Sequence, residues 1–184
     1  MTNIIKQSIG LILQNEPIIV PTDTVYGLVC RYDSKSAVEK IYRLKKRDRK
    51  KPLILLGYNW KALKKFVIVG AYCNKLLQQL IKEWPGPLTL VLPASKIVPK
   101  FLNKGYKTIG IRVPDNKFLL KLIKQCPGQI LASTSANISG KPSKEPQKDL
   151  TKKVKLFIKA KKKQMSFNPS KIIEMKNGFI KTLR

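Results

Sequence analysis

Histidine is absent from all 184 residues. This removes the side chain most often used as a general base near neutral pH and the commonest transition-metal ligand, so histidine-based triads and zinc hydrolysis are excluded. Acidic residues are scarce too, with ten carboxylates against 38 Lys and Arg, for a formal net charge of +28. Cys30, Cys73 and Cys126 are far apart and form no CxxC pair. They suggest neither a disulfide framework nor a zinc site, and are expected to be buried packing residues. No apolar run approaches the roughly 20 residues needed to span a bilayer. The N-terminal segment carries Lys6, Gln7, Gln14, Asn15 and Glu16 without a small-residue cleavage pattern, so a soluble, cytoplasmic protein with no membrane partner is expected. Neither GxxxxGK[ST] nor GxGxxG occurs, which leaves the usual nucleotide folds unsupported.

The charge excess gives a strongly positive surface potential, suited to a polyanion partner. It is explained as well by A/T-rich codons, because Lys, Ile and Asn are abundant while Arg is scarce. Charge alone therefore assigns no function.

Apolar periodicity indicates mixed secondary structure. Ile4, Ile5, Ile9, Leu11, Ile12 and Leu13 have helical spacing, and Ile18 to Val20 follows as a strand. Ser36 stands three residues before Glu39, a capping-box pattern for a helix from Ala37 to Lys46 with Val38, Ile41, Tyr42 and Lys45 along one side. Tyr72 to Glu83 reads as helix, and Asp115 as the cap of another helix running through Gln125. Strands are expected at Pro52 to Leu56, Leu88 to Leu92, Thr108 to Val113 and Gln129 to Ala132, with a hairpin of Lys171 to Glu174 and Phe179 to Leu183 about Asn177 and Gly178. The expected fold is α/β, a twisted mixed sheet with flanking helices, formed by one domain over residues 1–184. Lys141 to Lys163, rich in Lys with few large apolar residues before Leu156, reads as a mobile segment flanking the site.

Four separated polar turns carry the chemistry: PTDTVYGL at Pro21 to Leu28, LKKR at Leu44 to Arg47, WPGPLT at Trp84 to Thr89, and STSANISG at Ser133 to Gly140. Each joins Gly, Pro, hydroxyl or basic residues to an apolar run, as loops that meet ligands do. Seven of the nine residues from Arg43 to Lys51 are Lys or Arg. They either complement a helix dipole as a solvated charge run, or form a phosphate clamp from the Arg fork and the Lys point charge. STSANISG supplies hydroxyl, amide and backbone N–H donors able to wrap a phosphate or ribose, or else is a Ser-rich capping turn. Arg112 lies between Ile111 and Val113, where an unpaired guanidinium is costly, so it needs an anion from a ligand or from the protein. In an extended PTDT segment Thr22 and Thr24 share a face and Asp23 points the other way.

The order and wording of these turns, together with IRVP at Ile111 to Pro114, resemble the YrdC/Sua5 family, the L-threonylcarbamoyladenylate synthases, in its short single-domain form. The resemblance runs from about Ile4 to Arg184. It implies a YrdC-like fold around a large basic cavity. The implied reaction makes threonylcarbamoyl-AMP and pyrophosphate from L-threonine, bicarbonate or CO2, and magnesium ATP, for tRNA threonylcarbamoyladenosine modification by downstream transfer machinery. It implies that Thr24, Arg112, Ser133 and Ser170 hold threonine, with Arg112 on its carboxylate. Lys45, Arg47, Thr108, Ser135, Asn137, Ser143 and Arg184 would surround the ATP phosphates and the adenylate, Lys45 and Arg47 being catalytic, and no metal is held by the protein alone. Asp48 stands where the family usually has Pro, Leu56 replaces a polar residue that contacts threonine in some longer members, and Lys159 to Gln164 replaces a Gly-rich loop. The alternative is a protein that binds double-stranded RNA, rRNA or tRNA through its basic surface. Convergence of the turns on one cavity favours the enzyme, and dispersal over a flat basic face favours the binder.

Overall fold

The computed structural model describes residues 2–70, 74–140, 145–160, 165–176 and 179–184. An eight-stranded mixed sheet forms the frame. Its strands are β1 (Ile18–Val20), β2 (Gly27–Cys30), β3 (Ile54–Gly57), β4 (Leu88–Pro93), β5 (Thr108–Arg112), β6 (Ile130–Ser135), β7 (Lys171–Lys176) and β8 (Phe179–Thr182), in the spatial order β1-β2-β6-β3-β5-β4-β7-β8. The β3/β5 and β4/β7 pairs are parallel and the others antiparallel.

Alternation along the strands divides the sheet into two faces. On one, Leu28, Cys30, Ala132, Leu55, Ile111, Leu90 and Ile173 are buried with the apolar side of α2 (Lys35–Lys45), Leu63 of α3 (Trp60–Leu63), Leu77 of α4 (Asn74–Leu80) and Leu102 of α5 (Lys100–Asn103). On the other, Val29, Leu131 and Leu56 pack under Ile5 and Ile12 of α1 (Thr2–Leu13) and Leu119, Leu122 and Ile123 of α6 (Lys117–Lys124). Each Val, Leu or Ile among these contributes roughly 1.5–3 kcal/mol by leaving water. Helices α1 and α6 cover only part of their face. The polar strand ends beside them line a cavity.

Several local expectations are corrected by capping geometry. The N-cap of α2 is Ser34, whose hydroxyl accepts from the Ala37 N–H, not Ser36; Glu39 instead pairs with Arg49 and Lys104. The N-cap of α6 is Asn116, whose side chain accepts from the Leu119 N–H, not Asp115. Strand β6 continues through Ser135, so STS belongs to a strand and not to a turn beyond it. The expected mobile segment is packed over 145–160, where α7 (Lys148–Thr151) buries Leu150 and Ile158 N–H donates to the Ile19 carbonyl. Apolar residues there, sparse as they are, reach the core. Cys30 and Cys126 are free and buried, and burial pushes the Cys30 thiol up strongly and the Cys126 thiol up to about 12. Cys73 and Ser143 lie outside the described residues. Among the described residues no helix is long and apolar enough to cross a membrane.

Candidate functional site

Strand register builds the site. Gly27 pairs with Ser135, Ile54 with both Ser133 and Gly110, Leu56 with Arg112, and Thr89 with Ile172, so these positions share the incompletely covered face. Here lies a cavity of about 240 Å³, lined by Thr24, Arg47, Leu56, Arg112, Ser133, Ser135, Ser170 and Arg184, with Thr22, Thr89 and Thr134 completing its hydroxyl-rich wall. Turns far apart in sequence thus converge on one concavity.

Arg112 ends β5 and is 4% exposed. Its Nε donates to the Gly86 carbonyl at 3.0 Å, Nη1 to Thr24 Oγ1 at 2.9 Å and Nη2 to Asp23 Oδ1 at 2.6 Å. Burial lowers its pKa and the Asp23 charge opposes that shift. The anion that Arg112 requires is therefore supplied by the protein. Residues 23–25 form a bend and not an extended strand, and this brings Asp23 and Thr24 onto the same guanidinium. Thr22 and Thr24 do share a face, their hydroxyls 3.0 Å apart.

WPGPLT acquires a role here. Besides the Gly86 carbonyl under Arg112, the motif contributes Thr89, whose hydroxyl is 2.9 Å from that of Ser170. A Cβ on Gly86 would lie 2.2 Å from the Glu83 carbonyl oxygen, so only glycine fits this backbone. From sequence alone Asp23 and Thr89 carry no evident chemistry; the signal for them is an Arg embedded in an apolar strand, needing partners.

The two basic residues of LKKR part company. Arg47 faces the cavity, with Nη2 donating to the Pro52 carbonyl at 2.9 Å and Nε to the Lys51 carbonyl at 3.3 Å; burial lowers its pKa, but it stays charged. Lys45 does not line the cavity. It is 1% exposed, and its ammonium donates to the main-chain oxygens of Ser135 and Asn137 and to Asn137 Oδ1. Burial, reinforced by the positive charge of Arg47, lowers its pKa to about 7. Asn137 is buried and accepts from the Ser135 hydroxyl at 2.6 Å. Thr108 begins β5, four positions before Arg112 and about 13 Å away by strand rise, and is not part of the cavity wall. Arg184 reaches the rim with its Nε 3.2 Å from the Ser170 carbonyl.

Fold and site define a mixed α/β protein with a cavity lined by hydroxyl and arginine side chains at the ends of its strands. The chain belongs to the Sua5/YciO/YrdC family, whose sequence model, described as telomere recombination, matches residues 10–184. Threonylcarbamoyl-AMP synthase of Pseudoalteromonas translucida is 38% identical over 136 residues, 74% of this chain and 72% of that protein. The crystal structure of Pyrococcus abyssi Sua5 complexed with L-threonine is 30% identical with a TM-score of 0.84, covering 98% of this chain and 53% of that one, so this chain spans about half its length. The structure of Escherichia coli YciO is 25% identical with a TM-score of 0.81, covering all of this chain and 89% of that one.

Proposed function

We propose that the protein is a threonylcarbamoyl-AMP synthase, a nucleotidyltransferase that joins L-threonine, bicarbonate or CO2, and the adenylyl group of ATP, with release of pyrophosphate. The observation that carries this reading is the meeting of Thr24, Arg47, Arg112, Ser133, Ser135 and Ser170 on one cavity in a chain of this family. The same convergence weighs against a flat RNA-binding face.

Threonine is placed with its carboxylate on the N–H groups of Arg112 that Gly86, Thr24 and Asp23 leave unused, and with Ser133, Ser170 and Thr24 as hydroxyl partners. The neutral amine adds to CO2, its N–H proton passes to water, and a carbamate forms without a protein nucleophile. A carbamate oxygen then attacks the α-phosphorus, the bond to the β-phosphate oxygen breaks, and pyrophosphate leaves. Holding these groups in line and neutralising phosphate charge is the protein's main task, which is why a chain without histidine can perform it. Arg47 supplies charge at the cavity wall. Lys45 acts through Ser135 and Asn137, fixing the loop that follows β6. At about 240 Å³ the cavity is smaller than the roughly 300–1,000 Å³ of enclosing ligand pockets, so it receives the reacting groups while adenosine extends towards the rim.

Magnesium would arrive as part of the ATP substrate. No group of three or more Cys, Asp or Glu residues converges among the described residues, and Asp23 is committed to Arg112. In this reading the cation is carried on the phosphates, with water completing its shell.

The test is pyrophosphate release from ATP with bicarbonate, with L-threonine present, omitted, or replaced by serine. Release that requires threonine supports the reading. A folded protein that releases none under any condition contradicts it.

A further inference from the structure

Asp23 joins both sides of the cavity although it is not part of the cavity wall. Its side chain, 13% exposed, holds Nη2 of Arg112 at 2.6 Å. Its main-chain oxygen accepts from the Ser166 N–H at 3.0 Å, and the neighbouring Thr24 oxygen accepts from the Phe167 N–H at 2.9 Å. Those two bonds anchor the segment that leads into Ser170. One three-residue bend therefore aims the guanidinium from one side and delivers a hydroxyl from the other.

We infer that Asp23 is a positioning residue for the amino-acid subsite, acting through Arg112. The inference rests on the threonine reading above. A guanidinium at the end of a strand has a long, flexible stem and swings unless its fork is fixed in more than one direction. Gly86 fixes Nε and Thr24 fixes Nη1, but both partners are neutral. Asp23 supplies the charged hydrogen bond, the stronger kind, and thereby sets which edge of the fork meets a carboxylate. Among the described residues its buried Oδ2 has no hydrogen-bond partner, so Oδ1 carries the contact with Arg112. An asparagine keeps an acceptor in the same place but not the charge, so it preserves the aim in part, whereas an alanine abolishes it.

The experiment compares wild type, Asp23→Asn and Asp23→Ala in L-threonine binding by calorimetry and in KM for threonine and for ATP, with thermal melting as the check on folding. Loss of one charged hydrogen bond predicts that Asp23→Ala weakens threonine binding and raises its KM by roughly tenfold or more, with the KM for ATP little changed. Asp23→Asn should fall between wild type and Asp23→Ala, because the acceptor remains while the carboxylate charge is lost. Equal losses for threonine and ATP would mean a general structural role and overturn the inference. So would unchanged or tighter threonine binding in Asp23→Ala, or an Asn variant as impaired as Ala. If wild type binds threonine but releases no pyrophosphate, the reaction reading fails while the affinity comparison still decides the role of Asp23. If wild type binds no threonine, both fall.

Discussion

The Lys45 ammonium lies 2.6 Å from the main-chain oxygen of Asn137 and 3.0 Å from its side-chain oxygen, so the last buried residue of α2 braces the loop that follows β6. This inverts the simplest expectation for a lysine in a basic run. Its charge is spent inside the fold while Arg47, two residues on, faces the cavity.

A pH dependence follows from this brace. The Lys45 proton is lost near pH 7 in the folded chain but only near 10.5 in an unfolded one, so between these values the unfolded chain binds more protons. The contribution of this group to folding stability therefore rises with pH across that window. Within the fold the positive charge of Lys45 is lost around pH 7, at the lower edge of that window. ATP affinity should fall as pH rises from about 6 to about 8, and the step should be missing from Lys45→Met, as measured by calorimetric titration at each pH. A wild-type affinity flat over this interval would refute the assignment.

Arg47 is one of the charged donors that line the cavity. Arg47→Ala should slow pyrophosphate release by about 10²-fold or more, the scale for removing one preorganised donor. An unchanged single-turnover rate would remove Arg47 from the reaction.

Lys46 has a left-handed backbone, φ 49°, at the turn that separates Lys45 from Arg47. Glycine adopts that conformation without the Cβ clash a lysine suffers, so Lys46→Gly should raise unfolding free energy by about 0.5–1 kcal/mol in urea titration. A loss of stability would count against this geometry.

Gly86 supports Arg112 from a backbone with no room for a side chain. Gly86→Ala should destabilise the protein by about 2 kcal/mol or more, read from the urea midpoint, because a Cβ meets a main-chain oxygen that cannot move aside freely. Catalysis should suffer beyond the stability loss, through Arg112. Stability equal to wild type would contradict the crowding.

Much of this architecture was legible in sequence because helical spacing and apolar alternation report burial directly. Val38, Ile41, Tyr42 and Lys45 were placed on one side of α2, and all four are buried. The hairpin of β7 and β8 followed from two apolar runs. Capping was less legible: Ser34 and Ser36 both precede α2, and only backbone geometry chooses between them. Strand β2 is hidden behind PTDTVYGL, whose turn chemistry masks Gly27 and Leu28, the first two of its four buried residues. For the site, the demand of Arg112 for an anion was visible, but its satisfaction by Asp23 was not. That contact spans 89 positions and depends on a bend at residues 23–25 that sequence spacing does not encode. Likewise, Thr89 joins Ser170 only because β4 and β7 run side by side.

The most direct test of the central claim is to incubate the protein with ATP, L-threonine and ¹³C-bicarbonate and to identify the nucleotide product by mass spectrometry. The account predicts a threonine-dependent adenylate that contains both threonine and the labelled carbon, formed together with pyrophosphate. Pyrophosphate released without a labelled threonine adduct, or no adenylate at all from folded protein, would contradict it.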